Sequence, residues 1–218
     1  MRFLYIVLNA NQGMGHRWVL RWHQGKIHFP VKHFGWIAAD HRYEGLLMTL
    51  VGVISDTHGI LPQQAYEALA ECDAIIHAGD ICGPKILREL ETLASVYAVL
   101  GNNDYDEYGE SVSWYARPVI NGVKFLVAHY PKDVAISAFG SSAVAPGDPI
   151  PDVRIHGHTH IPKLERGREA SPSQLLMCPG AVNHVRSELG RTIGKIEVDD
   201  GRILSARIES LTGKVLMD

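Results

Sequence analysis

The sequence predicts an α/β fold, a two-sheet sandwich with helices outside. Three observations predict it. Residues 50–104 alternate short apolar runs with amphipathic segments in a β-α-β-α-β order. Each apolar run there stops at a polar residue able to ligate a metal. The second half is rich in short strand-like runs joined by turn residues such as Asn-Gly and Asp-Gly.

Residues 50–54 form a continuous apolar run with the β-branched content of a strand buried on both faces. Asp56-Thr57-His58-Gly59 breaks it. Ala65, Leu69 and Cys72 recur at helical spacing, so residues 63–71 are expected to be a helix. A second strand over 74–77 ends at Gly79-Asp80, and a second helix spans 85–93. A third strand over 96–100 ends at Gly101-Asn102-Asn103-Asp104. Farther on, Asn121-Gly122 turns a hairpin whose second strand runs into His129. Residues 135–139 read as a short helix, and 141–151, rich in Gly, Pro and Ser, as a loop. A strand over 153–156 leads into Gly157-His158-Thr159-His160. Residues 175–177 precede Cys178-Pro179-Gly180, and 194–198 pairs with 202–208 through Asp199-Asp200-Gly201.

Composition narrows the class. The chain has 218 residues, 46% hydrophobic, with formal net charge −3, which suits one ordinary folded domain. No run of 18 apolar residues exists, so no membrane-spanning helix is expected. The apolar run at residues 3–8 is too short for a signal peptide, and no small-residue cleavage site follows. Cys72, Cys82 and Cys178 are an odd, widely spaced set, read as reduced thiols in a cytoplasmic setting. The net charge offers no nucleic-acid patch.

The first 47 residues differ from the rest. They hold six basic and two acidic residues, net +4, so the remainder carries −7. They also hold Trp18, Trp22 and Trp36, with neither helical nor alternating periodicity. At Met48 the character changes to a buried strand. Residues 1–47 are therefore expected to lie outside the folded domain, as an overextended reading frame first and a genuine partner-binding or targeting arm as the alternative, with residues 48–218 as the domain. The intact mass of the natively expressed protein checks this: a mass matching residues 1–218 sinks the idea. Gly13-Met14-Gly15 lacks the Lys-Ser/Thr of a phosphate-binding loop, and His16, His23, His28, His33 and His41 have no ligand-like spacing.

The five strand-end fragments together supply Asp56, Asp80, Asn102 and the imidazoles of His58, His129, His158 and His160. Asp56 and His58 lie two apart and can reach one ion. Asp80, at the end of a buried strand, is costly unless paired or metal-bound, and its two oxygens can bridge two cations. Asn102 offers a neutral oxygen. The His-x-His pair sets two imidazoles on one side. This set is enough for two divalent metals about 3.5–4 Å apart, sharing one carboxylate and clamping both ends of a displacement at phosphorus.

In that order, D-x-H, G-D, G-N-x-D, H and G-H-x-H, the chain resembles the calcineurin-like metallophosphoesterase superfamily from residue 50 to about residue 208. Within it, the chain is most similar to the YfcE/Vps29-like small phosphodiesterase family. The resemblance implies a mixed two-sheet β sandwich flanked by helices. It implies one metal on Asp56, His58, Asp80 and His160, and a second on Asp80, Asn102, His129 and His158. Mn²⁺ is expected first, with Fe, Zn²⁺ and Ni²⁺ also admitted by mixed O/N donors. The implied activity is phosphodiester hydrolysis, a metal-bridging hydroxide attacking phosphorus in line.

Three positions depart from the family pattern. Asn103 stands where the phosphatase branch has a histidine thought to protonate the leaving group, which favours diesters and good leaving groups. Tyr130-Pro131 follows His129 where relatives show His-Gly. Cys178-Pro179-Gly180-Ala181 replaces Asn-Pro-Gly-Ser. Asp104 is expected to orient a histidine of the site. A small-molecule phosphodiester is the expected partner, and oligomerisation stays open. The alternatives are a phosphomonoesterase or nucleotidase on the same site, or a Vps29-like non-catalytic protein-binding scaffold.

Overall fold

The structure is a computed structural model that describes residues 48–105, 107–136, 143–145 and 147–218, with three short N-terminal strands. It divides into two compact units, Met1–Gly45 and Leu46–Asp218. In the first, β1 (Phe3–Leu4), β2 (Leu20–His23) and β3 (Lys26–His28) pair antiparallel in that order. The Gly13-Met14-Gly15 segment and His16, His33 and His41 lie outside the described residues.

The second unit begins with β4 (Thr49–Ile54), α1 (Gln63–Leu69), β5 (Ala74–His77), α2 (Pro84–Glu91) and β6 (Ser95–Ala98), and the three strands are parallel. Then follow β7 (Tyr115–Ala116), β8 (Val119–Ile120), β9 (Val123–Ala128), β10 (Val153–Ile155), β11 (Lys163–Arg166), β12 (Leu175–Cys178), β13 (Thr192–Asp199), β14 (Arg202–Ser210) and β15 (Val215–Met217). One sheet has the order β15-β14-β13-β4-β5-β6, and the other β11-β12-β10-β9-β7 with β8 on β9. Both are mixed: β9, β10 and β12 are parallel, while β13 lies antiparallel to β4. The predicted hairpins form as read. Asn121 and Gly122 have φ of 45° and 80°, and Asp200 and Gly201 have 45° and 72°. These left-handed pairs match the twist of the strands they join.

Alternation along the strands divides the apolar residues between layers. Val51, Val53 and Ile76 from one sheet meet Phe125, Val127, Ile155 and Met177 from the other in the central core. Ile54, Ile75 and Ile193 face the other way, under Ala65 and Leu69 of α1 and Ile86 and Leu90 of α2. Burying each such large aliphatic side chain contributes about 1.5–3 kcal/mol. A Cβ on Gly52 would stand 2.5 Å from Leu69 Cδ2, so the glycine is what lets α1 lie close on β4. Both described α-helices cover this one outer face. The outer face of the second sheet is covered by loop residues, Val134, Ala143, Val144 and Ala170, over Leu126 and Leu176.

Some elements differ from expectation. Ala135 and Ile136, the start of the helix expected over 135–139, are not helical; a single 3-10 turn at Pro131–Asp133 precedes them, and 137–139 lie outside the described residues. Strands β7, β11 and β15 have no counterpart in the sequence reading. They are two to four residues long and lie at or near sheet edges, too short to show a period.

An ion-pair network ties β13 and β14 to the end of α1. Lys195 Nζ lies 2.5 Å from Glu209 Oε1 and 2.8 Å from Glu71 Oε1, and Arg207 reaches Glu209 and Glu197. Lys195 and Glu209 are each 4% exposed. Burial opposes the lysine's charge, but the bonds to Glu209 and Glu71 outweigh it and raise its pKa. Lys195→Met strands a buried carboxylate. The expected loss is about 3 kcal/mol, the low end for a broken buried pair because Arg207 remains. Thermal unfolding should register it as a fall of roughly 10 °C. The double variant Lys195→Met/Glu209→Gln should recover part of that loss.

Candidate metal centre

The C-terminal ends of β4, β5 and β6 in one sheet and of β9 and β10 in the other point to the same edge of the sandwich, and every predicted site residue lies just past one of them. Backbone bonds carry the pairing beyond the strands: Asp56 N–H donates to Gly79 O, His58 N–H to Asp80 O, and Gly157 N–H to His129 O. The turns are sharp. Asp56, His58, Asp80, His158 and His160 all have φ between 45° and 66°. This is a left-handed conformation uncommon for such residues, one that over-determined surroundings can hold at a functional site. Two glycines clear the space. A Cβ on Gly101 would stand 2.2 Å from the Asp80 carboxylate, and one on Gly157 would stand 2.0 Å from Ser55 Oγ.

Asp56, His58, Asp80 and His160 form one group whose donor atoms all lie within 4.8 Å of one another, a spacing that can hold a metal ion. Asp56 is fully buried, and Ser55 donates to its Oδ2 at 2.6 Å. Its Oδ1 is buried with His160 Nε2 3.0 Å away, and His58 Nε2 is buried with no hydrogen-bond partner. Burial opposes the charge on Asp56, but the His160 and Ser55 bonds outweigh it and hold its carboxyl below the usual range. Burial also lowers the pKa of His58, which keeps its lone pair free.

A second group gathers around Asn102. Its Oδ1 lies 3.1 Å from His129 Nε2 and 2.9 Å from His158 Nδ1. Asp80 stands between the two groups, with Oδ2 3.8 Å from His58 Nε2 and Oδ1 3.5 Å from His129 Nε2. Burial lowers the pKa of His158, with the charge of Arg186 acting in the same direction.

The tautomers decide what these contacts mean. His129 Nδ1 lies 2.8 Å from Ala78 O, and His160 Nδ1 lies 2.6 Å from His184 O. A carbonyl only accepts, so each Nδ1 carries the proton and each neutral ring presents a bare Nε2. His129 Nε2 then faces Asn102 Oδ1, and His160 Nε2 lies 3.0 Å from Asp56 Oδ1. Lone pair meets lone pair in both groups. At His160 the Asp56 carboxylate favours the protonated ring and raises its pKa. The donor set, carboxylate, amide oxygen and imidazole, suits a borderline divalent ion in each group.

Several other residues have roles the sequence did not reveal or revealed differently. Asp104 orients no histidine. Its oxygens accept from the backbone N–H groups of Ile81, Cys82 and Gly101 and from Tyr108 Oη, stapling the Asp80 turn to the Asn102 turn. Burial raises its pKa, but those donors outweigh it and hold the carboxyl low. Asp104→Ala should loosen both turns and weaken metal affinity by about 10–100-fold. Equilibrium dialysis against Mn²⁺ measures that loss. Asn103 donates its backbone N–H to Asp80 Oδ1 at 2.8 Å and its amide to Oδ2 at 2.7 Å. Tyr130 packs its ring against that of His158, centroids 4.5 Å apart. Cys178 is buried beneath the Gly157–Thr159 turn, where burial pushes its thiol up to about 11. His77 donates from Nε2 to Thr57 Oγ1, and burial takes its pKa down to about 4. His156 is also buried, bonded to Gly157 O. Neither belongs to the two donor groups. Ser55 and Asn183 were missed. The only signal for Ser55 was a hydroxyl ending an apolar run.

An open pocket over the site is lined by His58, Asp80, Asn102, Asn103, His158 and His160, and on one side by His184 and Arg186.

Comparison with known proteins agrees with this architecture. Residues 49–201 match the model of the calcineurin-like phosphoesterase superfamily domain. A "Probable metallophosphoesterase" of Methanocaldococcus jannaschii is 34% identical over 164 residues, 69% of this chain and 77% of that protein. Among solved structures, a conserved protein of Streptococcus pneumoniae described as a predicted phosphoesterase aligns with TM-score 0.56 at 17% identity, over 78% of this chain and 93% of that one. A single-substitution variant of Vps29 from Entamoeba histolytica aligns with TM-score 0.57 at 21% identity, over 78% and 97%. The two structures support the fold alone.

Proposed function

The chain belongs to the calcineurin-like phosphoesterase superfamily, and from that premise we propose that it hydrolyses phosphodiesters at a site built for two divalent ions, with Asp80 bridging. The observation that carries the reading is the convergence of carboxylate, amide-oxygen and imidazole ligand atoms in two adjoining groups, each sharing one oxygen of Asp80. Asp56, His58, Asp80 and His160 would hold one ion, and Asp80, Asn102, His129 and His158 the other. Mn²⁺ is the ion proposed first, and Fe, Zn²⁺ and Ni²⁺ fit the same donors. Bound there, such ions supply an activated water at neutral pH and neutralise charge on the attacking and leaving oxygens.

The chain's own residues do the rest. Ala78 O and His184 O fix the tautomers of His129 and His160, so their Nε2 atoms are already aimed. Ser55 holds the Asp56 carboxylate in one orientation. Fixed donors of this kind cost little reorganisation during reaction. Asn103 has no proton to give, so the leaving group departs unprotonated or with solvent help. That favours diesters with good leaving groups over alkyl monoesters.

The test is hydrolysis of bis-p-nitrophenyl phosphate and p-nitrophenyl phosphate by metal-stripped protein, with Mn²⁺ added back. Diester turnover that requires metal and exceeds monoester turnover supports the reading. Faster monoester turnover replaces it with a phosphomonoesterase. Metal binding with no turnover on either compound replaces it with a scaffold.

Among the described residues no helix is long and apolar enough to cross a membrane. The three cysteines are free, which supports a cytoplasmic setting. Residues 1–47 are proposed to be dispensable: a chain of residues 48–218 should bind Mn²⁺ and turn over the diester at the full-length rate. A tenfold loss on truncation would assign the extension a role in the site.

A further inference from the structure

Residues 179–191 supply one side of the pocket through His184 and Arg186, and no metal-ligand role uses their side chains. Their placement is fixed at several points. Asn183 donates its amide to Thr57 O and Ile60 O, each at 2.7 Å. His160 Nδ1 donates to His184 O, and Thr192 Oγ1 donates to Pro179 O at 2.7 Å. The loop is thus bonded to the same two turns that carry Asp56, His58 and His160. Of its other polar side chains, His184 and Arg186 line the pocket, while Ser187, Glu188 and Arg191 are not among the pocket's lining residues. The His184 ring stands edge-on to that of His58, centroids 4.7 Å apart. Arg186 is exposed and makes no ion pair among the described residues.

Charge balance points to what this arginine is for. Two divalent ions set against two carboxylates and one proton lost from water leave a single positive charge. One diester phosphate balances it. The guanidinium then adds a charge that the scissile group does not need. An unpaired, always-protonated planar fork at the rim of a phosphate pocket matches a further phosphate in geometry as well as in sign.

We propose that Arg186, held at the pocket rim by the bonded loop, forms a subsite for a second phosphate group, so that the preferred diesters carry a phosphate beyond the scissile one. This rests on the two-metal diesterase reading above. Arg186 is a specificity residue here and takes no part in bond breaking.

The experiment is calorimetric binding to Mn²⁺-loaded protein of two probes that differ by one phosphate, propyl phosphate and propane-1,3-diyl bisphosphate. The wild-type protein should bind the bisphosphate roughly tenfold more tightly or better, the value of one charge-assisted contact. Arg186→Gln should remove that preference and leave propyl phosphate affinity unchanged. Arg168→Gln, an exposed arginine outside the pocket, should keep the preference and so controls for general charge. Three results overturn the proposal: no preference in the wild type, a preference that survives Arg186→Gln, or an equal loss for both probes, which would place Arg186 on the metal-bound phosphate itself. Because binding is read directly, absence of diester turnover would overturn the diesterase reading alone, and absence of the preference would overturn the subsite alone.

Discussion

Asp80→Asn should reduce metal-dependent diester hydrolysis by about a thousandfold or more while leaving the fold intact. The carboxylate presents one oxygen toward His58 and the other toward His129, and it is 2% exposed. An asparagine keeps the volume but loses the charge and replaces one of the two acceptor oxygens with a donor nitrogen. One donor group then lacks an anionic member. A Lewis acid contributes several kcal/mol to such a displacement, and each 1.36 kcal/mol is about a factor of ten in rate. The measurement is kcat on bis-p-nitrophenyl phosphate with saturating Mn²⁺, alongside thermal unfolding. The variant should unfold close to the wild type, because its amide oxygen can still accept from the Asn103 backbone N–H while a buried charge is removed. Turnover within tenfold of wild type would contradict a bridging role.

The second large effect is a gain. Asn103→His should raise hydrolysis of alkyl phosphate esters by about a hundredfold and leave p-nitrophenyl esters nearly unchanged. Asn103 is exposed at the pocket, and its amide donates to Asp80 Oδ2. That side chain holds a carboxylate in place but offers no transferable proton. An imidazole in its position supplies a general acid, worth about 10²–10⁴ where the leaving group needs one. Rates across esters of graded leaving-group pKa measure this: steep dependence in the wild type and a flatter line for the variant. Parallel lines would show that leaving-group protonation comes from elsewhere.

Much of this site was legible in the sequence because its residues follow buried strands. A strand buried on both faces reads as an unbroken apolar run, so Asp56, Asp80 and His129 stand out where such runs stop. The open α/β arrangement then gathers strand ends at one edge. What stayed hidden depends on contacts distant in sequence. Asn183 caps a turn 126 residues away, and nothing local marks it. Asp104 was visible as a carboxylate near the site, but its partners, three backbone N–H groups and a tyrosine hydroxyl, belong to a folded turn. The fold was legible to the same degree. The crossover units and both Asn-Gly and Asp-Gly hairpins follow from periodicity and turn chemistry, whereas β11, with exposed Lys163 and Arg166 at its ends, shows no pattern that separates it from a loop.

The central claim is that the chain holds a pair of ions joined by Asp80. Electron paramagnetic resonance of the protein loaded with Mn²⁺, read together with its metal content, tests that claim most directly. Two manganese ions per chain with an exchange-coupled spectrum, replaced in Asp80→Asn by the six-line signal of an isolated ion, is the predicted result. A wild-type protein that saturates at one ion per chain with an isolated-ion signal would contradict it.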